Sequence, residues 1–169
     1  MAMRRAAIDA DIFFFSISHK SESLTKRDIN PYDIKKFLFH LSSHPDISLC
    51  VPISVLGEVV IICVEGEWKG REDKHNREEL HELIDIWSGL RISFLHPNEA
   101  VATTCYNLYN HSKYKDSRIK PADLVHLGYA LAYDVDFFIT TDRILRGYSI
   151  PKEFKTKVLH PHEAQAILK

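Results

Sequence analysis

The sequence predicts a three-layer α/β/α domain with a mainly parallel central sheet. Short apolar segments alternate with amphipathic helical ones along the chain, the pattern of strands joined by crossover helices. Phe137-Phe138-Ile139 is apolar without alternation, as a parallel strand covered on both faces requires. No repeat, low-complexity tract or Pro/Gly-rich linker divides the 169 residues, so they read as one domain.

The elements follow in order. Ala6-Ala7-Ile8 is a short strand that ends at Asp9, and Pro31 to Leu41 is a helix with Ile34, Phe37, Leu38 and Leu41 at helical period. Ile47 to Val51 is the second strand. Ser54 can cap a helix that runs to about Glu65, although the β-branched run Val59-Val60-Ile61-Ile62 also suits a strand. Glu72 to Trp87 is an amphipathic helix with its stripe at Leu80, Leu83, Ile84 and Trp87. Arg91 to Leu95 is a strand and Asn98 to Tyr109 a helix. Pro121 to Tyr133 is the best-marked helix, with proline suited to its first turn. Lys157-Val158-Leu159 is the last strand, and a helix starts at Pro161 or His162.

Composition narrows the function. The chain is 45% hydrophobic and 27% charged, ordinary for a globular domain, and its net charge of −1 leaves any nucleic-acid contact to local clusters. A chain of this size buries roughly two-thirds of its unfolded surface and needs no disulfide or structural metal. Cys50, Cys63 and Cys105 are widely spaced among apolar neighbours with no CxxC pair, which reads as buried free thiols in a reducing cytoplasm. No signal peptide is indicated, and the longest apolar run, Val59 to Val64, is far too short to span a bilayer. No GxGxxG or GxxxxGK[ST] motif supports nucleotide binding.

Four acids stand out. In a sheet of this kind ligands sit beyond the carboxyl ends of the strands. Asp9 and Asp142 occupy such ends, although each alone also fits a helix cap or turn. Glu58 interrupts the apolar stretch Val55 to Val64. If that stretch is a buried helix, an ionised glutamate there needs a metal ion or a basic residue as partner. Asp123 lies in the first turn of its helix, where the dipole favours it, and on the same side as Leu127 and Ala130. Carboxylates brought together repel unless a cation neutralises them, and oxygen-only ligands favour Mg²⁺ or Mn²⁺ over zinc. Such ions support hydrolysis of a phosphodiester.

The set Ile8-Asp9-Ala10-Asp11, Val55-Leu56-Gly57-Glu58-Val59, Asp123-Leu124-Val125-His126-Leu127-Gly128-Tyr129-Ala130 and Ile139-Thr140-Thr141-Asp142 resembles the PIN-domain family, including VapC-type toxins. The resemblance covers most of the chain in order. It implies a PIN-like fold over residues 1–169, with additional length near 17–30 and 66–77 relative to a compact toxin of the family. It also implies an endoribonuclease with Mg²⁺ or Mn²⁺ bound by Asp9, Glu58, Asp123 and Asp142, and Thr140 supporting the site through its hydroxyl. An antitoxin and a homodimer are the partners it implies, and RNA the substrate. Asp11 stands where the family often has Asn or Ser, which adds a negative charge beside the site.

Basic residues could hold RNA. Lys113, Lys115, Arg118 and Lys120 form a basic segment with Tyr114 just before Asp123, and Arg143 and Arg146 follow Asp142; a solvated surface loop accounts for both equally well. His160 and His162 flank Pro161 but lack a third ligand for zinc. Two alternatives compete with the nuclease. Asp9-Ala10-Asp11 after a strand also resembles the opening of haloacid-dehalogenase-type phosphatases, but Ile12 follows it and no second acid accompanies Asp142. A catalytically weak RNA-binding or scaffold module of the same fold is the other.

Overall fold

A computed structural model describes residues 3–17, 31–68, 76–115 and 119–167. Its strands are β1 (Arg4–Ile8), β2 (Ile47–Pro52), β3 (Ile92–Leu95), β4 (Phe137–Ile139) and β5 (Lys157–Leu159). Its helices are α1 (Ala10–Ile17), α2 (Pro31–Ser43), α3 (Ile53–Trp68), α4 (Arg77–Ser88), α5 (Glu99–Lys115), α6 (Pro121–Ala132), α7 (Arg143–Arg146) and α8 (Pro161–Ile167).

The strand order is β3-β2-β1-β4-β5, and every neighbouring pair is parallel. The chain moves outward from β1 through β2 to β3, then returns to the far side of β1 as β4. That reversal is a topological switch point, where a crevice opens beyond the strand ends. Register makes the crevice tight. Ala6 pairs with Phe137 and Ile8 with Ile139, so β1 and β4 end level. The Asp9 amide then donates to the Ile139 carbonyl at 3.0 Å, which sets Asp9 and Thr140 side by side.

Successive strand residues face opposite layers. Ala6, Ile8, Leu49, Val51, Phe137 and Ile139 pack with residues of α1, α2, α3, α4 and α8. Ala7, Cys50, Leu95 and Phe138 pack with residues of α5, α6 and α7. The predicted three-layer α/β/α arrangement and parallel sheet are therefore both present. Burial of each large side chain, such as Phe13 or Phe138, contributes about 1.5–3 kcal/mol.

Local differences from the sequence reading have identifiable causes. Residues 53–68 are helix throughout despite the β-branched run, because Val55, Val59 and Cys63 recur at helical spacing and are fully buried. The helix is not apolar all round in the sense of being enclosed, since Val60, Ile61 and Val64 are exposed. Ser54 does not cap it, since the helix already begins at Ile53 and the Ser54 hydroxyl is buried without a partner among the described residues. In α4 the inward side chains are Leu83 and Ile86, while Ile84 is exposed. Asn76 caps this helix by accepting from the Glu79 amide at 3.0 Å, and Asn98 does the same for α5 with Val101 at 2.9 Å.

Helix α6 meets α5 at a glycine notch. A Cβ built on Gly128 would lie 2.4 Å from the Cys105 sulfur, so only glycine admits that approach. Cys50 and Cys63 are buried and Cys105 half-buried, and all three are free thiols. Among the described residues no helix is long and apolar enough to cross a membrane. The additional length expected near 17–30 and 66–77 lies largely outside the described residues.

Candidate active site

Asp9 is the centre of the crevice. It is 4% exposed, and so deep a carboxylate is costly unless hydrogen-bonded. Three donors meet it. The Ala10 amide donates to Oδ1 at 2.8 Å, His126 Nδ1 lies 2.9 Å from the same oxygen, and the Thr140 hydroxyl donates to Oδ2 at 2.8 Å. Two of these come from the segment after β4 and from α6, so the carboxylate is held by elements far from it in sequence.

The segment after β4 is tied to the start of α1. Thr140 is fully buried, and its Oγ1 accepts the Asp142 amide at 3.0 Å. Asp11, in the first turn of α1, accepts through Oδ2 from the Thr141 amide at 2.8 Å and from the Thr141 hydroxyl. Its other oxygen is buried with no hydrogen-bond partner among the described residues. Asp142 serves as the N-cap of α7, with Oδ1 accepting from Ile144 at 2.6 Å and Leu145 at 3.0 Å. The cap that its position at a strand end allows is therefore one of its roles.

His126 was not singled out by sequence, and it joins two of the four acids. The ring is 1% exposed in the buried face of α6, one turn beyond Asp123. Its Nδ1 faces Asp9, and its Nε2 lies 3.2 Å from Glu58 Oε2. Glu58, in α3, has its side chain 30% exposed, so it stands at the rim of the crevice and not within a closed apolar wall. The basic partner that an apolar setting demands for Glu58 is this imidazole. A lone polar ring at i+3 from Asp123, on an otherwise apolar helix face, was the signal available in the sequence.

The acids bear on one another electrostatically. Burial first, then the charge of Asp9, push the Asp11 carboxyl up to about 7, against the opposing hydrogen bonds from Thr141. Asp123 is pushed up to about 6, by burial and then by Asp9, with Asp142 and Glu58 adding and Lys120 opposing. Burial pulls the His126 imidazole down, but its bond to Asp9 and the charges of Asp9, Glu58 and Asp123 outweigh that and raise it.

The sequence profile of the PIN domain matches residues 22–150. The chain belongs to the PIN-domain family. PIN domains are typically nucleases that act on phosphodiester bonds, which sets aside the phosphatase alternative. The matched span holds Glu58, Asp123 and Asp142 and begins after Asp9.

Solved structures of the same fold extend over nearly the whole PIN chain. VapBC2 from Rickettsia felis, bound to a DNA fragment from its promoter, is 15% identical with a TM-score of 0.59, covering 92% of this chain and 98% of that one. DNA-bound VapBC from Salmonella typhimurium is 15% identical with a TM-score of 0.59, covering 94% and 99%. VapBC-5 from Mycobacterium tuberculosis, of the VapBC family of toxin–antitoxin systems, is 15% identical with a TM-score of 0.55, covering 92% and 98%. Identity at this level shows the fold. Comparison with curated proteins finds no match.

PIN nucleases generally depend on a divalent metal, and this crevice fits one in its donor chemistry. The acids offer oxygen only, which suits a hard ion, and one Asp11 oxygen is buried without a hydrogen-bond partner among the described residues. Among the described residues no three His, Cys, Asp or Glu side chains already stand close enough to form a metal cage. The raised values of Asp11 and Asp123 set a sign for stability. Both lie above the ordinary carboxylate value of 3.8, so the fold favours their protonated forms. That contribution is complete below about pH 4 and is lost as pH rises through about 6 and about 7. His126, also raised, adds in the same direction. In chelator, the melting temperature is expected to fall by several degrees from about pH 5 to about pH 8, and Mn²⁺ is expected to restore it most at the higher pH. A melting temperature that rises over this range would contradict the shared acidic space.

The basic residues divide. Lys120 is exposed at the start of α6, three positions before Asp123, and Arg143 is exposed beside Asp142. Arg146 is half-buried, with Nε buried and unpartnered among the described residues. Lys113 and Lys115 lie in the last turns of α5 with their side chains outside the described set, and Arg118 lies outside the described residues. The His160 and His162 rings are 5.1 Å apart and belong to no metal-binding group among the described residues.

Proposed function

We propose that this PIN domain is a metal-dependent endoribonuclease that hydrolyses RNA phosphodiester bonds, acting as the toxin of a toxin–antitoxin pair. The observation that carries the reading is the convergence of Asp9, Glu58, Asp123 and Asp142 at the β1–β4 switch point, linked by His126, Thr140 and mutual repulsion. Asp9, Glu58, Asp123 and Asp142 would hold Mg²⁺ or Mn²⁺. When bound, such an ion would supply activation of a water and neutralisation of charge on the phosphodiester. Thr140 fixes Asp9 Oδ2 and, through its accepted bond, the start of the Asp142 segment. Asp11 anchors Thr141 between them. Lys120, Arg143 and Arg146, together with Lys113, Lys115 and Arg118, are proposed to meet the RNA backbone on either side of the acids. Among the described residues no Ser, Cys or His nucleophile set stands beside these acids, which favours direct attack by water over a covalent intermediate.

Likeness to VapBC structures supports an antitoxin as partner, and a homodimer and a cytoplasmic place of action belong to the same proposal. The test is incubation of the purified protein with total RNA and either Mn²⁺ or Mg²⁺, followed by mapping of the cut positions. Discrete cuts that disappear with chelator are expected. Intact RNA under all these conditions would favour the RNA-binding or scaffold reading instead. Loss of cleavage on addition of a small protein encoded beside this chain would establish the toxin role.

A further inference from the structure

We infer that His126 is a positioning residue that sets the spacing and orientation of Asp9 and Glu58 for the divalent cation. The assignment rests on the nuclease reading and deepens it. It starts from one geometric fact. The two ring nitrogens point in divergent directions, and each meets a different carboxylate, Asp9 Oδ1 at 2.9 Å and Glu58 Oε2 at 3.2 Å. The two acids belong to different layers of the chain's path, one at the end of β1 and one in α3, and the ring reaches both from α6.

The two ends of this bridge are not equivalent. Asp9 is held by the Ala10 amide and the Thr140 hydroxyl as well, so its position survives loss of one donor. Glu58 has a longer side chain, 30% exposed at the rim, and the imidazole stands 3.2 Å from it as its ion-pair partner. A small, octahedral ion tolerates little error in where its oxygen ligands stand, so a mobile Glu58 weakens its site. A buried histidine that only satisfied its own hydrogen bonds would matter to folding and to nothing else. Groups that hydrogen-bond to metal ligands typically contribute about ten- to a hundredfold in metal affinity.

The two nitrogens can be tested separately. In His126→Asn the amide nitrogen stands near the place of Nδ1 and can keep the bond to Asp9. In His126→Gln it reaches closer to Nε2 and can keep the polar contact with Glu58. Calorimetric titration with Mn²⁺, RNA cleavage kinetics and melting in chelator are measured for the wild type, these two variants and His126→Ala. The expected result is Mn²⁺ affinity weakened about ten- to a hundredfold in His126→Ala. His126→Gln should recover more of it than His126→Asn, because Glu58 is the less restrained acid. The kcat should fall while KM for RNA stays near the wild-type value, because the ring touches acids and is too deep to touch RNA. Unchanged or tighter Mn²⁺ binding in the variants overturns the assignment. Should His126→Ala not fold, wild-type affinity in both amide variants does the same. A wild type that neither binds Mn²⁺ nor cuts RNA overturns the nuclease reading and this inference together, whereas an active wild type with indistinguishable variants overturns the inference alone.

Discussion

Asp9→Asn is expected to abolish RNA cleavage while leaving the fold intact. The substitution keeps the shape of the side chain and removes its charge. Its carbonyl oxygen can still accept from the Ala10 amide and from His126, where Oδ1 accepts now. Its amide then faces Thr140, whose hydroxyl can turn to accept it and give its own proton toward Asp11, 3.4 Å away. Only the second amide hydrogen is left without an acceptor among these groups, so the loss of stability is modest beside the loss of activity. Removal of one negative charge also relieves Asp11 and Asp123, both raised in part by Asp9. What disappears is the anionic ligand at the centre of the site. Loss of several kcal/mol of transition-state stabilisation corresponds to a rate reduction on the order of a thousandfold or more. Asp123→Asn should act in the same direction. Cleavage rates are to be read beside melting curves in chelator. Undiminished cleavage by both variants, with wild-type melting, would remove these acids from the mechanism.

Gly128→Ala is expected to destabilise the domain by roughly 1–3 kcal/mol, the usual cost of overpacking a filled interior. The new methyl would sit 2.4 Å from the Cys105 sulfur and 3.4 Å from its Cα, so either the sulfur rotates away or α6 lifts from α5. Lifting α6 would also disturb the site, because Asp123 and His126 lie on the same helix within two turns of the notch. Thermal unfolding should therefore show a lowered midpoint, and Mn²⁺ titration a weakened site. The compensating change is Cys105→Ala, which removes the sulfur and should recover most of the stability in the double variant. A double-mutant cycle with no coupling between the two positions would show that the notch is not what restricts residue 128.

Much of the architecture is legible in the sequence because parallel sheets write themselves plainly. Phe137-Phe138-Ile139 must satisfy two layers at once and is apolar at every position, and all three side chains are buried. Pro121 and the apolar run behind it mark α6 to within a residue. Other elements leave weaker traces. Ala10–Ile17 is so apolar that no helical period stands out, because α1 is enclosed by its neighbours along most of its length. Arg143–Arg146 is a single turn, too short for any period to register. The β-branched residues of α3 are strand formers in isolation, and tertiary packing of Val55, Val59 and Cys63 decides otherwise.

The acids were visible as residue types at strand ends and in one apolar stretch, but not their relations. His126 and Asp9 are 117 positions apart, and nothing local announces that they touch. His160 and His162 stand out as neighbours in sequence, whereas the histidine beside the acids is a lone polar ring among apolar helix residues. The capping role of Asp142 was foreseeable from its place before a short apolar turn, and Asp11 proves to bind the Thr141 backbone.

The order of the strands has a consequence for how the protein is made. β1 is central, yet its neighbour on one side, β4, is translated long after β2 has taken the other. Until residues 137–142 leave the ribosome, Asp9 lacks the Thr140 hydroxyl and Asp142 does not exist. A nascent chain that has already passed β2 and β3 therefore still lacks part of the acidic cluster. The set of four acids is therefore completed only when β4 docks against β1, a late step in the order of synthesis.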